Sequence, residues 1–301
     1  MVVMQQPRLR GEMLHDELLS NYTSWRVGGA AKRLYRPADR RDLVAFLQQL
    51  ESDEPLLWLG LGSNLLVRDG GFSGTAILTR GCLDGLSMQS DGLINVEAGV
   101  SCARVARFAT RHGRVGIEFL AGIPGTMGGA LAMNAGAFGG ETWNAVVWVE
   151  TVDRQGCVRR REHSEFEVGY RQVKGAQGEW FLRTGLSTEL GDVSDGQQRI
   201  RALLERRAQT QPIGLPSCGS VFRNPVNDYA ARLIEAAGLK GARIGGAVVS
   251  EKHANFIINM GGASAGDIER LIELVRDRVE QSSGVRLQPE VHMVGERSLE
   301  L

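Results

Sequence analysis

An α+β chain divided into two or three domains is predicted on three observations. Apolar segments of strand length and amphipathic segments of helix length are interspersed along the whole sequence. At 301 residues the chain is long for a single core. Its 39 glycines, well above the usual share of about 7%, fall in clusters, which implies tight backbone turns and not diffuse flexibility.

The first 20 residues carry mixed charge without period and read as an irregular lead-in. Residues 21–31 mix turn formers with Trp25 and Val27, and Gly28-Gly29 signals a close backbone approach. Asp39 can cap a helix in which Leu43, Phe46, Leu47 and Leu50 fall at i, i+3, i+4 and i+7. Pro55 breaks it. Leu56–Leu59 and Leu65–Val67 read as strands on either side of Gly60-Leu61-Gly62-Ser63-Asn64. Glycines between two strands are in the wrong order for a Rossmann or Walker site, which needs them to open a helix. The turn's N–H groups, the Ser63 hydroxyl and the Asn64 amide could still hold a pyrophosphate, although taken alone such a turn is structural by default.

Residues 75–79 and 93–97 continue the strand pattern. Ser101 caps a helix with Val105, Phe108 and Ala109 inward, ended by Gly113. The stretch 121–141, AGIPGTMGGALAMNAGAFGGE, is the centre of the sequence. Seven of its positions are glycine and most others are small, so it is expected to fill no core. Such backbone suits close contact with something flat or charged, a phosphate or a cofactor edge. Ile123, Pro124, Met127, Leu131, Met133 and Phe138 argue against a flexible linker. Residues 146–152 and 157–161 form a hairpin across 153–156, with Gly156 at positive φ. Tyr170 and Arg171 follow between two short segments of no strong period, where an arginine is by default a solvated surface residue. Strand character over 180–190, helical spacing over 200–207 and the prolines Pro212 and Pro216 place a domain boundary near residue 205.

Beyond it, SCGSVFRNP puts Ser220, Arg223 and Asn224 on one constrained loop. It is not GxSxG and no His/Asp pairing is evident, which argues against a hydrolase nucleophile. Asp228 caps a helix through Leu233, Ile234 and Ala237 to Gly238. SEKHANFIIN leads into a strand with Lys252 and His253 at its mouth, and Ser264 with Asp267 forms a capping box for a helix ending at Gly284. A last strand over 285–294 sets Leu287, Val291 and Met293 against Gln288, Glu290 and His292. Glu290 therefore faces solvent unless that side lines a cleft.

Composition narrows the function classes. Thirty-five Lys+Arg balance 35 Asp+Glu, which argues against a broad nucleic-acid surface but leaves room for a local basic pocket for a phosphorylated small molecule. Cys82, Cys102, Cys157 and Cys218 form no CxxC pair and follow no secretory leader, so reduced thiols and a cytoplasmic location are expected. The five histidines show no metal-ligand spacing, and no metal is expected. No apolar run approaches the roughly 20 residues of a membrane span, so no membrane insertion is expected.

LGLGSNLLV, AGIPGTMGGALAMNAGAFG, GYR, GSVFRNP, SEKHANFIIN and LQPEV, in this order and at these intervals, closely resemble the UDP-N-acetylenolpyruvoylglucosamine reductases of bacterial peptidoglycan synthesis. The resemblance runs from about Asn21 to Gly295, and each motif is weak singly.

The resemblance implies a flavoenzyme with an FAD-binding fold of the vanillyl-alcohol-oxidase/PCMH type followed by a C-terminal α/β substrate-binding domain. Residues 1–80 and 81–205 would form the two FAD-binding subdomains and 206–301 the substrate domain. NADPH would reduce the flavin, which then reduces the enolpyruvyl group of UDP-N-acetylglucosamine enolpyruvate to UDP-N-acetylmuramate. Gly60, Leu61, Gly62, Ser63, Asn64 and Leu65 would touch FAD. So would Gly122, Ile123, Pro124, Gly125, Gly128, Gly129, Asn134, Gly136 and Ala137. Neither His nor Cys stands in the turn 60–64, so a non-covalent flavin is expected. Arg171 and Glu290 would stabilise an enolate, and Ser220 would protonate it. Tyr170, Arg223, Asn224 and Lys252 would bind substrate. Residues 185–200 leave little room for an insertion, so the chain resembles the shorter type, which lacks an extra tyrosine-bearing loop. A monomer is expected.

Overall fold

The computed structural model describes residues 8–298, so the first seven residues of the expected lead-in lie outside the described residues. The chain divides into two compact units. The first comprises the N-terminal residues to Leu14, Arg33–Gly60 and Gly74–Leu204; the second comprises His15–Lys32, Leu61–Ser73 and the residues from Glu205 onward.

In the first unit, helix α1 (Arg40–Leu47) starts where the sequence predicts, because the Asp39 carboxylate accepts the Asp42 N–H at 2.9 Å. Leu43, Phe46 and Leu47 point into a core with Ile77, Leu83 and Leu182, and Phe46 stacks on Tyr35 at 3.8 Å between ring centroids. Strand Leu56–Leu59 pairs in parallel with Phe72–Leu78, in register from Leu56 opposite Thr75. They belong to a sheet completed by Ala30–Arg36 and then Glu12–Leu18. The last of these corrects the irregular lead-in: EMLHDEL has no alternation, and as an edge strand it is held through its backbone, with four of its seven residues exposed.

A second, antiparallel sheet has the order Val158–Glu162, Val146–Asp153, Glu179–Leu186, Ile94–Glu97, Leu86–Met88. The hairpin across 153–156 forms as expected, with Gly156 at φ 77°. Helices α2 (Cys102–Arg111) and α3 (Met127–Met133) contribute to the core of this sheet, so the glycine-rich stretch does fill a core. Met127 and Leu131 are fully buried beside Val105, Trp143 and Leu186. Glycine and alanine around them let the short helix approach closely, while its few large side chains anchor it. Helix α4 (Val193–Thr210) is longer than 200–207 at both ends. Its first turn is started by Asp192, which accepts the Asp195 N–H, and Ile200 is its one buried large apolar residue, hence the weak periodicity.

In the second unit, Arg243–Ile244, Ala247–Val249 and Ile257–Asn259 form an antiparallel sheet whose core also takes α5 (Ala230–Ala236) and α6 (Ala265–Ser283). The capping box of Ser264 and Asp267 and the Gly284 stop are both present. Two expectations change here. Asp228 does not cap α5: it pairs with Arg232, and the Asn224 Oδ1 accepts the Ala230 N–H at 3.1 Å instead. The expected strand 285–294 shrinks to His292–Val294, parallel to Leu65–Val67. Pro289 has no N–H to give, and it makes only an isolated bridge to Phe222.

Asp42 ties α1 to the chain before it. Its buried carboxylate accepts from Arg10 N at 2.7 Å, Tyr35 Oη at 2.6 Å and Ala38 N at 3.0 Å. Burial alone would push the carboxyl up, but these donors outweigh it and hold its pKa below the ordinary aspartate value. A depressed folded-state pKa adds stability above the unfolded value of about 3.9, and that stability is lost as pH falls through the folded value. Asp42→Asn is therefore expected to cost about 2 kcal/mol at pH 7. Urea melts over a pH series should show the difference from wild type shrinking below about pH 4.

Candidate active site

The glycine clusters meet within the first unit. A Cβ on Gly60 would stand 2.3 Å from Thr126 Oγ1, so the end of strand Leu56–Leu59 lies against the head of α3 as only glycine allows. Residues 125–128 are stitched to 98–102: Cys102 N donates to Gly125 O, Met127 N to Val100 O and Gly128 N to Ala98 O, all at 2.8–2.9 Å. Gly122 is equally tight, because a Cβ there would meet the Phe138 ring at 2.5 Å. Gly129 differs, with nothing nearer to its Cβ position than Thr126 Oγ1 at 3.9 Å. Beside Gly60 and Thr126, bare backbone thus faces open space at the first turn of α3. A flat, polar cofactor edge fits that surface.

The rest of the turn belongs to the second unit. Gly62, at φ 59°, crosses Tyr22 and Thr23 so closely that a Cβ would lie 2.2 Å from Tyr22 O. Ser63 is half-buried. Asn64 does something the sequence did not suggest. Its side-chain amide donates to Glu290 O at 3.0 Å, and its own carbonyl accepts the His292 N–H at 3.0 Å. The turn therefore grips the segment that carries Glu290.

The same segment is gripped from its other side. Glu290 N donates to Val221 O at 2.7 Å and Arg223 N to Gln288 O at 2.9 Å, so 221–223 and 288–290 run antiparallel and Ser220 stands one residue from Glu290's partner. Gly219 turns the chain into this loop at φ 69°. Asn255 holds it: its Oδ1 accepts from Phe222 N at 3.0 Å, its Nδ2 donates to Phe222 O at 2.8 Å, and its carbonyl accepts from Val221 N. The role of Asn255 was missed from sequence, although an amide inside the apolar run HANFII must be buried and therefore hydrogen-bonded. Cys218 adds an anchor, its Sγ 3.6 Å from the carbonyls of Gly62 and Leu65. Burial pushes that thiol up to about 12, so at neutral pH it is a weak donor and not a nucleophile.

The expected substrate ligands fare differently. Arg223 is half-buried; burial of the His292 imidazole, and after it the Arg223 charge, hold that imidazole below its ordinary pKa. The Asn224 side-chain oxygen is occupied by α5, and the Lys252 ammonium donates to Ala208 O in the last turn of α4. Tyr170 is 48% exposed.

Arg171 is not the solvated residue that its local sequence suggests. Strands Glu167–Gly169 and Gln172–Lys174 pair with Gly169 opposite Gln172, which makes Tyr170-Arg171 a two-residue turn. Arg171 takes φ 53°, a conformation that such short hairpins use and arginine seldom adopts. Its half-buried guanidinium donates from Nη1 to Asn134 O at 3.3 Å and from Nη2 to Gly136 O at 3.0 Å, with the Tyr170 ring centroid 5.2 Å from Cζ. A side chain at Gly136 would crowd Nη1.

Comparison with known proteins places these features. Residues 31–161 match the model of an FAD binding domain, and residues 211–294 match that of the UDP-N-acetylenolpyruvoylglucosamine reductase C-terminal domain. The UDP-N-acetylenolpyruvoylglucosamine reductase of Alkalilimnicola ehrlichii is 63% identical over 286 residues, covering 95% of this chain and 96% of its own. The chain belongs to the UDP-N-acetylenolpyruvoylglucosamine reductase family. The enzyme of that name from Legionella pneumophila is 57% identical over 97% of this chain and 95% of its own. The crystal structure of the Thermus caldophilus reductase superposes with a TM-score of 0.81 at 33% identity, covering 95% of this chain and 99% of that one. The α+β class is as expected, with an FAD-binding domain followed by the reductase C-terminal domain. The FAD-binding match spans the glycine clusters, and the C-terminal match spans Ser220, Arg223, Asn224, Lys252 and Glu290. Tyr170 and Arg171 fall in neither.

Proposed function

We propose that this chain is an NADPH-dependent flavoenzyme of the cytoplasm that reduces the enolpyruvyl group of UDP-N-acetylglucosamine enolpyruvate to UDP-N-acetylmuramate for peptidoglycan synthesis. The observation that carries this reading is the pairing of the Ser220 loop with the Glu290 segment through Glu290 N and Val221 O at 2.7 Å. It joins the backbone of the Ser220 loop to that of the Glu290 segment, and Asn64 and Asn255 fix the two from either side.

The flavin would be held without a covalent bond by the turn 60–65 and by the backbone of 122–129 and 136–137, where the openness at Gly129 supports the fit. Bound FAD would supply the hydride, received from NADPH, that the enolpyruvyl alkene accepts. The chain's own residues handle the charge and the proton. Hydride addition places carbanion character beside a carboxylate, an enolate-like dianion that is costly unless cationic or protic groups face it. Arg171 is proposed to supply the positive charge. Glu290 is proposed to act as a neutral carboxyl, since an anion would repel the enolate. Ser220 Oγ gives its proton to the carbon and recovers one from solvent. Arg223 is the candidate for the anionic ends of the substrate, with Tyr170, Asn224 and Lys252 as lesser contacts.

An anaerobic experiment tests the reading. Flavin reduced by NADPH should reoxidise rapidly, without oxygen, when the UDP-enolpyruvyl sugar is added. Flavin that stays reduced until air is admitted would point to an oxidase on the same scaffold and overturn the substrate assignment.

A further inference from the structure

Asn134, expected from sequence among the FAD contacts, is instead fully buried, and every hydrogen-bonding group of its side chain is used inside the protein. Nδ2 donates to Glu141 Oε2 at 2.9 Å and to Gly169 O at 3.1 Å, while Oδ1 accepts from Trp143 N at 3.1 Å. Its backbone, at φ 44°, closes α3 in the left-handed conformation. Glycine would satisfy that conformation at lower cost, and glycine is common all around it. The left-handed cap alone therefore does not call for an asparagine side chain; the amide answers to something else.

What the amide reaches is the hairpin of Arg171. Gly169 opens the two-residue turn, and its carbonyl is fixed by Asn134 Nδ2. Two residues later the guanidinium returns to the main-chain carbonyl of Asn134 itself and to that of Gly136. One residue thus holds the backbone from which Arg171 starts and the point at which its side chain ends. We propose that Asn134 is the positioning residue for Arg171, an inference that rests on the role given to Arg171 above. A charge that must meet a developing enolate is effective only if its orientation is set beforehand, and a turn with arginine at positive φ does not set it unaided. Glu141 extends the device by orienting the amide.

The test is Asn134→Gly in the full-length holoenzyme, which removes the amide and keeps the backbone conformation accessible. Flavin content and flavin reduction by NADPH should stay within about two-fold of wild type, while anaerobic reoxidation by the UDP-enolpyruvyl sugar slows on the order of ten-fold. Hydrogen exchange at residues 170–174 should accelerate, with the five-stranded sheet unchanged. In an Arg171→Ala background, adding Asn134→Gly should change reoxidation by less than about two-fold, because the group it positions is gone. Wild-type reoxidation in Asn134→Gly beside a slow Arg171→Ala would overturn the inference alone. Losses that add in the double variant would also overturn it, by showing a purely structural role. A wild-type rate in Arg171→Ala would instead remove the assignment on which it rests. Should Asn134→Gly fail to fold, Glu141→Ala leaves the cap in place and should slow the same half-reaction a few-fold; an unchanged rate there overturns the inference.

Discussion

Ser220→Ala is expected to leave reduction of the flavin by NADPH at the wild-type rate and to slow its anaerobic reoxidation by the UDP-enolpyruvyl sugar by about 10³-fold. The prediction isolates chemistry from folding because the loop does not depend on the hydroxyl. Gly219 sets the turn, the Asn255 side chain takes both backbone polar groups of Phe222, and Val221 O receives Glu290 N, none of them through the Ser220 side chain. A half-buried serine replaced by alanine in such a frame should change stability by less than about 0.5 kcal/mol. Rapid-mixing absorbance of the two half-reactions is the measurement. A slow first half-reaction would mean that the substitution disturbed the flavin, and an unaltered second one would remove Ser220 from proton donation. Ser220→Cys, which restores a proton donor at nearly the same position, should recover part of the rate.

Local chemistry made much of the fold legible. Helix α1 and helix α6 begin at side-chain caps that lie within four residues of the first buried position, and α6 stops where Gly284 turns left-handed. The hairpin across 153–156 is likewise specified by its own residues, through alternation on both sides and a glycine at positive φ. The edge strand Glu12–Leu18 was not legible, because backbone pairing leaves no mark on its side-chain pattern. Nor was the extent of α3: counting glycines hid the fact that Met127 and Leu131, four residues apart, suffice to anchor one face.

The site divides in the same way. Of the backbone expected to lie open at 60 and 122–129, Gly60 and Gly122 are closely packed and Gly129 faces open space, because the lack of a side chain serves close packing as readily as it serves a guest. What holds the segments of the candidate site was hidden, because every tie is long-range. Asn64 is 226 positions from Glu290, Asn255 is 33 from Phe222 and Asn134 is 35 from Gly169. All three are asparagines beside apolar residues. A buried amide with two donors and one acceptor must find partners, but local sequence does not say which.

Arg171→Ala should slow flavin reoxidation by about 10³-fold with flavin reduction unchanged, the cost of removing one preorganised charge from a developing oxyanion. Arg171→Lys is the more informative substitution. Lysine keeps the charge, but its single ammonium cannot donate in parallel to the carbonyls of Asn134 and Gly136 as the two ends of the guanidinium do, at 3.3 and 3.0 Å. If orientation matters as much as charge, Arg171→Lys should lose about 10²-fold and Asn134→Gly about ten-fold, in that order below the alanine variant. Arg171 sits at φ 53°, a conformation no easier for lysine or alanine than for arginine, so the two substitutions at 171 are compared on a similar backbone cost. A lysine variant as fast as wild type would show that charge alone is sufficient. The two carbonyls would then be anchors of the turn and not of the reaction.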